Sequence, residues 1–291
     1  MGGHAYAVTN LAASLVAGSF VVEVDSAWAG YTGSDRTYLG DGRMDKRVSV
    51  GLTSGGNKTG FRIDLGSAQS VAGIAILNHN IVTTGQGADV TVRGATDSGF
   101  TTGVVASKSS TTMGLYLSNN TREPQNKDHV YQFAAVSKRY WEIEFTPYND
   151  VNMAVGEVFV FGAPTVLTRK GIYGSSDGVK LYTSEMEFGN GDTRSIFYGG
   201  PVLRKTLRWQ DFDDDERDEL RRLFLTTRGN ASPLLFINSY EATSTAAAAT
   251  EQDVIYGRLS GLDDLEYSEM DYGLFQINDF TVRSLGREIG A

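Results

Sequence analysis

The side chains that most often perform chemistry in proteins are scarce in this sequence. Its 291 residues contain no cysteine and only three histidines, His4, His79 and His129, which lie far apart in the chain. Without cysteine there is no disulfide, no thiolate metal site and no cysteine nucleophile. The pattern H-E-x-x-H and the phosphate-binding P-loop are also absent from the sequence. The sequence therefore predicts a protein that is not an enzyme.

Carboxylates are the exception to this scarcity, because the chain has 35 Asp and Glu residues. Two carboxyl groups are enough for glycoside hydrolysis, provided that they stand about 5 to 9 Å apart. The sequence does not give that distance. A glycosidase therefore stays open as the third interpretation, behind two non-catalytic ones.

Aromatic side chains in loops are the strongest candidates for binding. Residues 25–60 are rich in Gly, Ser, Thr and Asp and include Trp28, Tyr31 and Tyr38, a composition typical of long loops. His79 and Asn80 follow a buried strand. These five residues predict loops that contact a glycan or a protein partner. Two alternatives stay open: the aromatic rings cover one end of a β-sandwich, and His79 is held by hydrogen bonds to backbone.

Two β-rich stretches supply the framework for these loops. In residues 60–81, Phe61, Ile63 and Leu65 alternate with polar residues, and a Gly-Ser turn and a short apolar run follow. Residues 139–162 again read as a strand, a Pro-Tyr-Asn-Asp turn and a second strand. Alternation indicates a half-buried strand, whereas a continuous apolar run indicates a more deeply buried one. The two stretches predict the first and last framework strands of one sandwich.

The same stretches carry a resemblance to a known family. The runs F-R-I-D-L-G at 61–66 and L-N-H-N at 77–80 resemble the discoidin, or coagulation-factor C-type, jelly roll, one of the galactose-binding-like folds. The runs R-Y-W-E-I-E-F and A-V-G-E-V-F-V-F-G resemble its closing strands, in the form found in tail proteins of double-stranded DNA bacteriophages. The resemblance covers about residues 18–163. Phe61 replaces the usual Trp of the family, and the terminal cysteines of the family are missing.

The family resemblance also implies a calcium site. Asp41 lies in a sequence that resembles the Asp-Gly turn of the family, and Asp41 and Glu157 match the positions that help to hold a structural calcium. The positive charges of Arg43, Lys46 and Arg47 weaken cation binding in this loop. We therefore predict that the domain folds without bound metal or other cofactor. The Asp41 loop is then held by hydrogen bonds to its own backbone.

Composition and turn residues divide the chain into three parts. We predict that residues 1–17 form an N-terminal arm, that residues 18–163 form the jelly roll, and that residues 164–291 form a second β-rich domain. The boundary lies at Ala163-Pro164, because proline cannot continue a central strand. Most of the net charge of −9 falls on the second domain. Each domain is expected to fold independently.

One helix is predicted in the second domain, over residues 213–228. Asp213 and Glu216 form a capping-box pattern at its start, and Leu220 and Leu223 begin an apolar stripe. The order of strand, helix and strand resembles, over about residues 164–291, the ring-forming module of phage distal tail and baseplate proteins. The predicted fold class is therefore mainly β: a discoidin-like jelly-roll β-sandwich followed by a second β-rich domain with one packed α-helix.

These resemblances imply a structural component of a bacteriophage tail tip or baseplate. Such a protein acts by assembly, as a homo-oligomeric ring together with the tail tube, hub and fibre proteins, and contacts host-surface carbohydrate. It would belong to the virion tail, after being made and assembled in the host cytoplasm. The alternative function is a free carbohydrate-binding module or lectin that uses the loops around Trp28, Tyr31, Tyr38 and Asn80.

Two classes of partner are not expected. The isoelectric point near 4.9 argues against nucleic acid, because binding to a phosphate backbone needs clustered Lys and Arg. No stretch approaches the roughly 20 apolar residues of a membrane-spanning helix. Membrane insertion is therefore not predicted.

Overall fold

The computed structural model divides the chain into two compact units that do not follow the order of the sequence. One comprises Thr9–Pro164 and Glu241–Gln252 and is termed the sandwich unit. The other comprises Met1–Val8, Thr165–Tyr240 and Asp253–Ala291 and is termed the split unit. The structure describes residues 3–13, 20–24, 26–30, 34–41, 46–80, 88–113, 128–147, 150–167, 176–180, 183–187, 193–197, 202–228, 231–240, 254–260, 268–269 and 275–284.

The described residues are mostly strands. In chain order these are β1 (Gly3–Ala7), β2 (Phe20–Val24), β3 (Ala27–Gly30), β4 (Val48–Thr53), β5 (Thr59–Leu77), β6 (Ala88–Ala95), β7 (Val105–Met113), β8 (His129–Pro147), β9 (Val151–Val155), β10 (Glu157–Phe161), β11 (Thr165–Val166), β12 (Ser176–Lys180), β13 (Thr183–Glu187), β14 (Thr193–Phe197), β15 (Val202–Phe212), β16 (Leu234–Tyr240), β17 (Val254–Ser260), β18 (Ser268–Glu269) and β19 (Phe275–Ser284). The α-helix α1 spans Asp214–Thr226, and a 3-10 helix spans Ser34–Leu39.

Two long strands, β5 and β8, organise the sandwich unit. They pair antiparallel, with interruptions of register between Asp64 and Gln69 and between Val71 and Gly73. Before the first interruption β5 belongs to a sheet of order β3-β2-β5-β8-β6-β7, and after the second it also pairs with β10. The predicted Gly-Ser turn is thus an irregularity inside one strand, which lets the strand bend. Gly66 there has a φ of 78°, which glycine adopts without strain.

The core of this unit follows the predicted alternation. Phe61 and Ile63 of β5 and Trp141 and Phe145 of β8 are buried together in one cluster. The rings of Phe61 and Phe145 meet edge to face at 6.4 Å, and the Trp141 indole stacks on Phe133 at 5.5 Å. The predicted phase of both strands is therefore confirmed.

The first strand of the chain lies inside the sheet of the split unit. That sheet has the order β11-β1-β16-β17-β19-β15-β12, with β18 beside β19. Ala5 pairs with Val166 on one side and Ile237 on the other, and Tyr6 is buried. Residues 3–7 thus form a strand and not the predicted N-terminal arm. The reason is that β11 and β16, which are distant in sequence, pair with its two edges. The larger segment of the sandwich unit, Thr9–Pro164, is an insertion between β1 and β11.

The helix α1 begins as predicted. The Asp213 side chain accepts a hydrogen bond from the Glu216 N–H at 3.0 Å, and the Glu216 carboxylate accepts one from the Asp213 N–H at 3.2 Å. Leu220 and Leu223 are buried in a core cluster of the split unit. A capping box and one apolar stripe therefore fix both the start of the helix and its inward face.

The described residues confirm the predicted class, since they form antiparallel sheets in both units and a single α-helix in the split unit. The predicted boundary at Ala163-Pro164 lies beside the division between Pro164 and Thr165. No helix in the described part of the chain has the length and apolar character to span a membrane.

Candidate functional site

Three loops meet at one end of the sandwich unit: those between β3 and β4, between β5 and β6, and between β7 and β8. The Lys46 ammonium donates to the Tyr38 hydroxyl at 3.2 Å and lies 4.5 Å from the centre of the Tyr38 ring. The adjacent Arg47 donates to the Asn78 side-chain oxygen at 2.8 Å, and the Asn78 N–H donates to Asp128 at 2.9 Å. These five residues, termed the loop cluster, combine an aromatic ring with cationic, amide and carboxylate groups.

The chain turns sharply at Asn78 to form this cluster. Asn78 has a φ of 52°, in the left-handed region that asparagine tolerates better than most residues. The Gly156 N–H donates to the carbonyl oxygens of Leu77 and Asn78 at 3.1 and 3.2 Å. A Cβ at Gly156 would lie 3.0 Å from the Asn78 Cβ. Glycine at 156 therefore permits the close approach that fixes the end of β5.

Asn80 positions the neighbouring strand β9. Its side-chain amide donates to the Asn152 carbonyl, and its side-chain oxygen accepts from the Ala154 N–H, both at 2.8 Å. The Asn80 N–H also donates to the Ala154 carbonyl at 3.1 Å. His79 is completely buried. The structure thus brings Tyr38 and Asn80 to the same end of the unit. His79 is buried there, and the Asn80 side chain is hydrogen-bonded to β9.

The other two predicted contact residues lie elsewhere or outside the described residues. Trp28 belongs to β3, where it is the register partner of Glu23 in β2, rather than to a loop. The strand forms because β2 pairs with it along Val21–Val24, a partnership that the Gly- and Ser-rich sequence around Trp28 does not signal. Tyr31 lies outside the described residues.

Glu157 and Asp41, the two residues that match the calcium site of the family, have different surroundings. Glu157 is buried in β10, and its carboxylate accepts a hydrogen bond from the Asn10 amide at 2.8 Å. The same amide donates to the Val158 carbonyl at 3.0 Å, and the Asn10 oxygen accepts from the Val160 N–H at 3.0 Å. Glu157 therefore helps to attach the segment that follows β1, whereas Asp41 is exposed. No group of three or more His, Asp or Glu side chains in the described ranges could hold a metal ion.

A second polar set lies on the outward face of the sheet β3-β2-β5-β8-β6-β7, termed the main sheet. Register aligns Arg62 of β5, Glu142 of β8 and Arg93 of β6 in one row across three strands. Glu142 is 0% exposed, and its carboxylate accepts from Arg62 Nε at 2.7 Å and from Arg93 Nε at 2.6 Å. Two guanidinium groups thus neutralise one buried carboxylate.

The next outward row contains Glu23 of β2, Gly60 of β5 and Glu144 of β8. The Lys58 ammonium is 2.7 Å from the Glu144 carboxylate, and Arg93 is 3.6 Å from it. The two rows and Lys58 form what is termed the charged face: Glu23, Lys58, Arg62, Arg93, Glu142 and Glu144. Sequence reasoning missed this face, although opposite charges at alternate positions of F-R-I-D-L and W-E-I-E-F were its available signal.

The carboxyl groups on this side of the sheet titrate differently. Glu23 is 2% exposed, and burial, with a smaller contribution from the negative charge of Glu144, raises its pKa to about 7. Hydrogen bonds from Arg139, at 2.6 and 2.8 Å, lower the pKa of Asp64. Of Glu23 and Asp64, only Glu23 therefore exchanges a proton near neutral pH.

Comparison with known proteins gives likeness at the level of fold. No family model matches the sequence, and no curated protein matches it. Chitosan-binding module 1 of a chitosanase/glucanase from Paenibacillus sp. IK-5 is 18% identical, with a TM-score of 0.38 over 53% of this chain and 99% of that chain. Module 2 of the same enzyme, in complex with chitotriose, is 20% identical, with a TM-score of 0.38 over 53% and 100%.

A lectin domain of lectinolysin complexed with Lewis B antigen is also similar. It is 17% identical, with a TM-score of 0.35 over 53% of this chain and 97% of that chain. These structural neighbours are carbohydrate-binding modules and a lectin domain, and the likeness extends over about half of the present chain.

Proposed function

We propose that the sandwich unit binds carbohydrate at the loop cluster. The observation that supports this is the convergence of one aromatic ring with ammonium, guanidinium, amide and carboxylate groups at one end of the unit. Sugars are bound by rings that pack against their apolar faces and by polar groups that bond their hydroxyls. Tyr38 packs partly against the core and is half-buried. The exposed remainder of the side chain, beside the Lys46 ammonium, is the surface offered to a ligand.

The framework around the cluster favours binding, because it is ordered before a ligand arrives. Gly156 and Asn80 connect the end of β5 to β9 through backbone and side-chain hydrogen bonds. Arg47 and Asp128 then hold the Asn78 side chain and backbone in place. A site with fixed polar groups loses less conformational entropy on binding.

We propose that this chain itself performs no catalysis. The carboxylates of Glu142 and Glu144 are engaged by Arg62, Arg93 and Lys58. Glu23, whose pKa would suit an acid catalyst, is a buried member of the charged face and is not open to a substrate. The face thus supports a structural role in the sheet.

Replacement of Tyr38 by alanine tests the binding proposal. We expect Tyr38→Ala to weaken binding of the best-bound oligosaccharide at least tenfold, about 1.4 kcal/mol, because the ring surface is lost. A glycan array that includes chitotriose and Lewis B identifies the oligosaccharide, and isothermal titration gives the dissociation constants.

The matched control is Tyr140→Ala. Tyr140 is also a half-buried tyrosine with a neighbouring cation, since the Arg139 guanidinium lies 4.9 Å from its ring centre, but it lies outside the loop cluster. We expect unchanged binding in this variant. Equal losses in both variants, or no binding of any sugar by the wild-type chain, would contradict the proposed site or the proposed function, respectively.

A second candidate function is assembly into a ring in the tail tip or baseplate of a bacteriophage. The edge strands of the split-unit sheet favour it. Among the described residues this sheet ends at β11, which pairs with β1 through Val166 and Thr165, and at β12 on the opposite side. Exposed strand edges are the surfaces through which sheets extend between chains. In this proposal the protein is part of the virion tail, and the inserted sandwich unit contacts host-surface carbohydrate.

If the protein assembles into a ring, the particle in solution has a mass several times that of one chain. We expect light scattering after size-exclusion chromatography to show a discrete ring, and Val166→Lys to shift it toward the monomer. Val166 is 41% exposed on the edge strand, and lysine at an edge opposes strand pairing. Leu52→Lys is the control, since Leu52 is 64% exposed in β4 of the sandwich unit. A monomer at every concentration, in the presence of candidate tail partners, would rule out the ring.

A further inference from the structure

Glu23 lies in β2, one strand in from the edge of the main sheet. β3 is the edge strand, and β2 connects it to the rest of the sheet through four register pairs with β5, from Phe20 with Ile63 to Glu23 with Gly60. Glu23 is the last of these four. The β2–β3 hairpin is therefore attached to the sheet by a short ladder, and beyond Glu23 two hydrogen bonds join Ser26 to the backbone of Lys58, at 2.9 and 3.1 Å.

The Glu23 carboxyl lies among groups that are already paired. On the β5 side these are Lys58 and Arg62, and on β8 they are Glu142 and Glu144. Lys58 contacts Glu144 at 2.7 Å, while Arg62 and Arg93 of β6 bind Glu142. Among the described residues, none forms a hydrogen bond with Glu23 Oε2, which is fully buried. The cations near Glu23 thus neutralise its neighbours.

No side chain separates the carboxyl groups of Glu23 and Glu144 in their row. The residue between them is Gly60, where a Cβ would collide with the Ile143 carbonyl oxygen. An ionised Glu23 would place a charge in a buried position beside a second carboxylate, with no hydrogen bond from the described residues to its Oε2, which is costly. The neutral acid avoids both the repulsion and most of the desolvation cost.

We propose that Glu23 is a proton-operated latch: when it is protonated the β2–β3 hairpin is held against the sheet, and when it loses the proton the hairpin loosens. The hairpin includes Trp28, the register partner of Glu23. The protonation state of Glu23 therefore determines how stably the edge strand β3, which contains Trp28, is attached to the sheet. It does not depend on the carbohydrate proposal.

The direction of the pH effect follows from the two pKa values. An unfolded Glu has a pKa of 4.5, whereas burial beside Glu144 raises that of folded Glu23 to about 7. Between these values the folded chain retains a proton that the unfolded chain has released, so stability falls as pH rises. The contribution is complete below pH 4.5 and is lost once the pH has risen through about 7.

Hydrogen exchange of the full chain tests the latch. After correction for intrinsic exchange rates, we expect amide protection in β2 and β3 to fall at least tenfold between pH 5.5 and 8, while β8 changes much less. In Glu23→Gln, which resembles the neutral acid in shape, protection of the hairpin should be high at both pH values. Equal protection of the wild-type hairpin at both pH values would overturn the proposal, as would an unchanged pH response in Glu23→Gln.

Asp64→Asn provides the matched control. Asp64 is on the same side of β5 and is paired with Arg139, which lowers its pKa. We expect this variant to keep the wild-type pH response of β2 and β3. Should Glu23→Gln fail to fold, a carbon-13 titration of the wild-type glutamate carboxyls decides the matter: a midpoint near 7 for Glu23 supports the latch, and one near 4.5 overturns it.

Discussion

Deletion of residues 1–8 is expected to unfold the split unit and to leave the sandwich unit folded. The deletion removes β1, whose Ala5 and Tyr6 are buried and pair with β11 and β16. Loss of one buried aromatic side chain alone costs roughly 3 to 5 kcal/mol, and the open edge of β16 loses its backbone partners as well. A domain is stabilised by only about 5 to 15 kcal/mol in total. Most or all of the stability of this unit therefore depends on the first strand of the chain.

Limited proteolysis with mass spectrometry measures this outcome. We expect rapid cleavage within residues 165–291 of the truncated chain, and a protected fragment that begins near Asn10, because Asn10 remains bonded to β10. A synthetic peptide of residues 1–8, added in excess, should restore protection, whereas the same peptide with Ala5→Asp should not. Equal resistance of the truncated and complete chains would show that β1 is dispensable.

This result also bears on the expected independence of residues 164–291. A fragment that starts after Pro164 lacks β1 and exposes the edge of β16 that β1 covers. We therefore expect that fragment to be unfolded. Joining residues 1–8 to its N-terminus through a short linker should restore a cooperative thermal transition.

Trp141→Ala is expected to lower the free energy of unfolding of the sandwich unit by about 3 to 5 kcal/mol. Trp141 is 0% exposed, stacks on Phe133 and donates from Nε1 to the Lys138 carbonyl. Its replacement leaves a large cavity at the point where β8 crosses the core. Phe61→Ala should have an effect of the same order, because Phe61 lies in the same cluster.

Urea denaturation, followed by circular dichroism, gives the free energies. Tyr140→Ala is the control, since Tyr140 precedes Trp141 on β8 but points to the outward, half-exposed side. It should cost much less than Trp141→Ala. A cost below about 1 kcal/mol for Trp141→Ala would indicate that the phase of β8 is shifted by one residue, since such a shift exchanges the two faces of a strand.

The sequence by itself determined the features that depend on near neighbours. The alternation around Phe61 and Trp141 gave the inward and outward faces of β5 and β8, because side chains of a strand point to opposite sides in turn. Asp213 and Glu216 located the start of α1, because a capping box joins residues three positions apart. These signals involve few residues and survive without knowledge of the rest of the fold.

Tertiary structure decided everything that depends on distant partners. Residues 3–7 are too short and too ordinary to indicate a strand, and β11 and β16, more than 150 residues away, make them one. The loop cluster likewise needs Arg47, Asn78 and Asp128 to meet. Glu23 is an unremarkable acid in the sequence, and it becomes a buried, proton-binding group only because β5 and β8 bring Gly60 and Glu144 beside it. The cost of a buried charge depends on its surroundings, which the linear sequence does not contain.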